Sequence, residues 1–199
     1  RSIVRAHTLN WRTGDGDYEL EQFYTAYTNK LYSTCAAQYK KYIPHNDGTA
    51  FGCGVRKIMN EDEFYHEGGL IVSIARNMPV IDPNPESLER NRGILAYAGV
   101  ALVVKDKYQP EYQPIRSFQG NHLFRIPATG DLSYEYMVAA SWSEGQSVKT
   151  PEEFKEYMRI AAVEYNNPII AEKIELQVKK GGFRPIEYWG YPQPHALWK

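Results

Sequence analysis

The chain of 199 residues carries 23 Lys and Arg against 24 Asp and Glu, a formal net charge of −1. No global electrostatic footprint therefore points to nucleic acid or to an anionic membrane, and no stretch approaches the ~18 consecutive apolar residues of a membrane span. The length suits a single domain over residues 1–199 with a core of its own. The chain begins at Arg1, which reads as removal of a targeting segment or as part of a longer protein. Its sixteen tyrosines fit a tyrosine-rich sheet or a dedicated aromatic binding surface, because the ring is apolar and its tip is wet.

In chain order, Ser2 to Trp11 reads as a strand ending at Thr13-Gly14-Asp15-Gly16-Asp17, a turn with the Asp-Gly hairpin signal. Asp15 and Asp17 lack the full oxygen-ligand spacing of a calcium loop. Tyr18 to Thr28 and Leu31 to Tyr42 form a hairpin closed at Asn29-Lys30, followed by a strand from Ala50 to Ile58. A second hairpin around Pro44-His45-Asn46-Asp47-Gly48 is expected to bring Cys35 and Cys53 into neighbouring register. A disulfide is then open to them, since bridging needs a Cα separation under about 7 Å; two buried free thiols are the other reading.

Asn60 to Glu67 reads as an acidic loop, and Gly68-Gly69 leads into an apolar strand from Leu70 to Ala75. Pro79 to Arg92 is proline-broken and hydrophilic, a surface excursion. Ile94 to Val104 has no charge and no alternation, as expected of a strand covered on both faces. Lys105 to Asn121 reads as a long loop carrying Tyr108, Tyr112 and Arg116, with a short strand from His122 to Ile126 behind it. Tyr134 to Trp142 alternates: Tyr134, Tyr136, Val138, Ala140 and Trp142 share one face, as packed core or as a platform for a flat ligand. Thr150-Pro151-Glu152-Glu153 is a capping box. It opens an amphipathic helix over about 150–166, with Phe154, Tyr157, Met158, Ala161, Ala162 and Tyr165 in one stripe. Ile174 to Lys179 alternates as a last strand, and the tail 181–199, with Trp189 and Trp198, is expected to dock. Short strands joined by turn chemistry and followed by one helix indicate a mainly β protein, an antiparallel β-sandwich.

Several of these pieces carry a resemblance. They are the Thr-Gly-Asp-Gly turn at 13–16 before a tyrosine-rich hairpin, the strand 93–104 after a long loop, and Gly-Asn-His-Leu at 120–123. Then come Ala-Ala-Ser-Trp-Ser-Glu-Gly at 139–145 and the Thr-x-Glu-Glu-Phe helix ending in Asn-Asn-Pro at 166–168. From about Trp11 to Pro168 this order resembles the C-terminal half of the bacterial domain-of-unknown-function family 4861. The resemblance implies a large sandwich similar to that of sugar mutarotases and some polysaccharide lyases, a setting in polysaccharide utilisation, and a secreted or periplasmic location. A sandwich of which this chain is one half implies an N-terminal half that is absent or present as a second chain, and a homo-oligomer is the expectation if the chain is an assembly protein.

A sugar-active site needs an aromatic wall, donors for hydroxyls or a uronate, and a proton donor–acceptor pair. His122 or Tyr134 is the candidate acid/base, Arg116 the carboxylate clamp, and Tyr136 and Trp142 the stacking wall. Glu144 closes the same strand, and Tyr65 with His66 forms a second candidate cluster. Each also has a plainer reading: a satisfied structural histidine, a surface arginine, a solvated loop. No metal-ligand spacing, G-x-S-x-G elbow, phosphate-cradling loop or C-x-x-C occurs, and no cofactor is expected. The expected ligand is a glycan, bound by a lyase or glycoside hydrolase. The alternatives are a non-catalytic carbohydrate-binding module on the same face, and an assembly protein completed by a partner chain.

Overall fold

The computed structural model describes residues 1–79, 93–114, 120–128, 130–145 and 147–169. The strands are β1 (Ser2–Thr13), β2 (Gly16–Ala26), β3 (Tyr32–Pro44), β4 (Ala50–Arg56), β5 (Glu63–Glu67), β6 (Leu70–Pro79), β7 (Ile94–Val104), β8 (Glu111–Gln113), β9 (Asn121–Pro127) and β10 (Ser133–Trp142); the helix is α1 (Pro151–Asn166). All strand pairs are antiparallel. They form a seven-stranded sheet in the order β1-β2-β3-β10-β7-β6-β5 and a three-stranded sheet in the order β4-β9-β8.

The β1–β2 turn is set by local chemistry. Thr13 Oγ1 accepts the Asp15 N–H at 3.1 Å. A Cβ at Gly16 would lie 2.3 Å from the Tyr18 hydroxyl and 2.5 Å from the Ile43 carbonyl oxygen, so no larger residue fits. At the next hairpin Asn29 takes φ 60°, a conformation asparagine tolerates.

The charge-free run of β7 lies in the middle of the large sheet between β10 and β6. On one face Leu102, Val104, Ile71 and Tyr134 pack against Phe51 and Cys53 of β4 and Phe124 and Ile126 of β9. On the other, Val72, Ile74, Ala101, Val103 and Met137 pack against Phe154, Met158 and Ala161 of α1. The helix starts as its sequence indicates, with Thr150 and Glu153 forming a complete capping box and proline in the first turn. It lies close to β7 at Gly99, where a Cβ would come 2.7 Å from the Phe154 ring. The chain thus builds an antiparallel β-sandwich with a single α-helix among the described residues, on the outer face of the larger sheet.

Three local expectations change. The segment after β3 does not close a hairpin. It crosses from one sheet to the other, so Cys35 and Cys53 meet through the sandwich core as two buried free thiols. Burial pushes both thiols up, Cys53 further. Within the expected loop 60–67, residues Glu63–Glu67 pair with β6 as an edge strand. The long loop after β7 contains β8. The expected strand at 174–179, the tail 181–199 and most of the 79–92 excursion lie outside the described residues.

Phe154 is fully buried against the sheet. Phe154→Ala is expected to lower the unfolding free energy by about 3–5 kcal/mol, and Thr150→Ala by about 1 kcal/mol. Urea denaturation of the two variants checks the order.

Candidate functional site

The one buried histidine among the described residues anchors a polar network between the two sheets. His122, at the start of β9, is 2% exposed. Its Nε2 lies 2.7 Å from Oε2 of Glu61 and its Nδ1 3.0 Å from the Tyr112 hydroxyl. The Phe64 ring stacks on the imidazole, 3.9 Å between centroids and 6° between planes. Ser73 donates its hydroxyl to the same Glu61 oxygen and accepts the Ile58 N–H at 3.3 Å. Nε2–H donates to the Glu61 carboxylate, and in the neutral tautomer that this sets, Nδ1 is left to accept the Tyr112 hydroxyl. Burial, and then the negative charge of Glu61, raises the Tyr112 hydroxyl, which keeps it a donor.

The connection from β4 to β5 fixes the carboxylate. A turn closes where Glu61 N–H meets the Ile58 carbonyl at 3.1 Å, with Asn60 at φ 57°, and Asp62 N–H reaches the Ile74 carbonyl at 3.0 Å. Oε2 of Glu61 is taken by His122 and Ser73. Oε1 has Lys57 Nζ at 3.8 Å as its ionic neighbour.

Glu61 borders a groove that exists because the smaller sheet is too short to cover the larger. The smaller sheet stops at the Arg56–Asn121 pair, while β7 and β10 run on together to Ala98 and Trp142. The space beyond its end holds two adjoining depressions, and a third opens beside them at the β10 edge, where Ser141 and Val148 of the α1 side also line it. The first, about 760 Å³, lies between the Arg56–Glu61 segment and Val100. The second, about 450 Å³, shares Arg56 and Val100 and is floored by Val138 and Ala140. The third, about 290 Å³, shares Ala140 and reaches Trp142 and Glu144. One end carries ionic groups, the middle is apolar, and the far end carries a tryptophan that is 47% exposed.

Against this geometry the expected site residues separate. Tyr134 stacks face to face on Phe51 at 4.4 Å and is core; burial pushes its hydroxyl up to about 12. Phe51 is paired with Ile126, four residues along β9 from His122, or roughly 13 Å at strand rise. The structure therefore does not bring His122 and Tyr134 together. Tyr136 is half-buried, with Gln22 donating to its hydroxyl at 3.4 Å, and burial raises it as well. Trp142 and Glu144 line the open end of the groove.

Tyr65 and His66 do not form one cluster, because β5 is a strand and its alternation parts them. Tyr65 faces α1, where Arg159 lies over its ring at 5.2 Å, while His66 stacks on Tyr112 at 4.5 Å on the opposite face. Arg116 lies outside the described residues. Glu61, Lys57, Arg56 and Ser73 were not expected. Nothing local marks them, and only the crossing of β4 to the second sheet brings Glu61 beneath His122. No group of three His, Cys, Asp or Glu among the described residues is placed to hold a metal ion.

Glu61→Ala leaves the buried His122 donor unpaired and is expected to cost roughly 1–3 kcal/mol. Glu61→Gln keeps an acceptor and costs less than about 1 kcal/mol by the same reasoning. Thermal unfolding of the two variants side by side checks the difference.

No curated protein matches the chain. The family described as "Domain of unknown function (DUF4861)" matches residues 1–170, upstream of the expected start at Trp11 and through the whole sandwich and helix. A match over this share of the 199 residues places the chain in that family, and the chain is a member of DUF4861.

Proposed function

We propose that the chain is a carbohydrate-active protein that holds an acidic or neutral glycan along the groove from Glu61 to Trp142. The observation that carries this reading is the adjacency of three depressions that share lining residues: ionic groups at one end, an apolar floor, and an exposed tryptophan at the other. A pyranose ring offers an apolar C–H face that stacks on an indole, and hydroxyls that need donors and acceptors at its rim. Trp142 supplies the first, and Arg56, Lys57, Glu61 and Glu144 supply the second. The expected setting is polysaccharide breakdown in a secreted or periplasmic location. Of the original aromatic face, Trp142 remains as the stacking group, while Tyr134 and Tyr136 support the floor from within the core.

Titration calorimetry of the full chain against neutral and uronate oligosaccharides is expected to show saturable binding. Trp142→Ala should weaken it by about 0.5–1.5 kcal/mol, the scale of an aromatic stacking contact. No heat with any glycan removes this reading.

The edge strand β1 favours a second reading, assembly through a partner chain or a further copy. Among the described residues it pairs with β2 alone, all of its residues except Ala6 are exposed, and Ile3, Val4, Leu9 and Trp11 are among them. Long apolar edges of this kind are templates for strand addition. Light scattering is expected to give a mass above the 22.9 kDa of one chain, and Val4→Lys is expected to return it to that value. A monomer at all concentrations rules assembly out.

A further inference from the structure

We infer that the Glu61 end of the groove is a proton-transfer site for a uronate-bearing glycan, an inference that rests on the glycan reading above. Two observations point to the substrate class. Arg56 and Lys57 stand side by side on the wall of the depression that Glu61 borders, and Arg56 makes no ion pair among the described residues. A sugar carboxylate lodged against these two cations brings the carbon that bears it, and that carbon's proton, towards Glu61.

Glu61 is built for one job at one oxygen. His122 and Ser73 hold Oε2, so rotation of the carboxylate is arrested and Oε1 is the atom left to meet a ligand. His122 is in turn fixed by the Tyr112 hydroxyl and the Phe64 ring. With 2% exposure, His122 cannot itself reach a sugar. It is a positioning residue, and Tyr112 positions it.

The chemistry is a β-elimination. Oε1 takes the proton on C5, the carbon next to the uronate carboxyl group. The C5–H electron pair becomes the C4=C5 double bond, and the C4–O pair leaves with the glycosidic oxygen. That oxygen takes a proton from water in the open groove, and Glu61 returns its own proton to water. The polymer is cut into one chain ending in a hydroxyl and one ending in an unsaturated uronate, with no oxidant or reductant required. Arg56 and Lys57 oppose the charge that builds on the uronate carboxylate as C5 loses its proton.

The test uses the full chain with polygalacturonate, polyglucuronate and alginate, read by ultraviolet absorbance of the unsaturated product, with binding measured in parallel. Turnover of at least one polymer is expected. Glu61→Gln is expected to lower kcat on the order of 10²–10⁴-fold, the usual worth of a positioned base, with Tm near the parent value. The Arg56→Gln/Lys57→Gln pair is expected to raise KM for the uronate polymer by a larger factor than it weakens binding of neutral oligosaccharides. Tyr112→Phe is expected to lower kcat at unchanged KM, which a purely structural hydroxyl would not do. Binding of uronate polymers without any unsaturated product, or undiminished kcat in Glu61→Gln, overturns the inference while leaving glycan binding standing. Absence of binding to every glycan removes both.

Discussion

Strands β6 and β7 bury side chains on both faces at once, and the rest of the fold answers to that. Ile71 and Leu102 on one side and Val72, Ala101 and Val103 on the other are all at or below 1% exposure. Each large apolar side chain so buried contributes about 1.5–3 kcal/mol relative to leaving it in water, so neither face can be left open. The chain supplies two unlike covers: a 16-residue helix on one face and a sheet with strands of 7, 7 and 3 residues on the other. Neither is long enough to hide seven strands. What they leave bare among the described residues, the β1 edge and the far end of β7 and β10, is where the molecule can meet something else.

The smaller sheet is fastened differently at its two ends. At one, Phe51 lies flat on Tyr134 within a ring of Tyr39, Tyr108 and Tyr136, and apolar contact dominates, with Tyr42 donating its hydroxyl to the Thr49 carbonyl at 3.5 Å. The Tyr134 hydroxyl has no hydrogen-bond partner there among the described residues, a cost of roughly 1–3 kcal/mol for a buried polar group that the stacked rings offset. At the other end the fastening is polar: Glu61 from the β4–β5 connection, Ser73 from the large sheet and His122 from the small one share a few atoms. A buried imidazole and carboxylate are tolerable only when every polar atom has a partner. Here both ring nitrogens do.

The parts of the fold that rest on local chemistry were legible in the sequence. The Gly-Asp turn, the Thr150 capping box, the Phe154–Met158–Ala161 stripe and the charge-free run of β7 each carry their cause within a few residues. What could not be read is what depends on partners far along the chain. Nothing near Pro44 to Gly48 shows that the chain changes sheets there instead of folding back. The hairpin expectation for Cys35 and Cys53 therefore put them side by side in one sheet, and they face each other across two. Glu63 to Glu67 looked like a solvated loop because three of its five residues are polar or charged. It pairs with β6 as an edge strand, where one wet face is normal. The alternation of Tyr134 to Trp142 was correct residue by residue. Its meaning changes along the strand, because the small sheet covers Tyr134 and Tyr136 and stops short of Trp142.

That same stopping point explains why Glu61 and the groove occur together. A sheet that ended further along would bury Val100 and Ala140 and leave no trough. One that ended sooner would expose His122 and release the carboxylate from its two donors. The turn at Asn60 places Glu61 where the cover ends, with its back in the core network and its edge in the groove. The hydrogen bonds that close the sandwich are therefore the ones that orient the only carboxylate on that stretch of groove wall among the described residues. A change to His122, Ser73 or Tyr112 acts on the groove through Glu61 without touching anything bound there. Stability and site geometry are tied to one side chain.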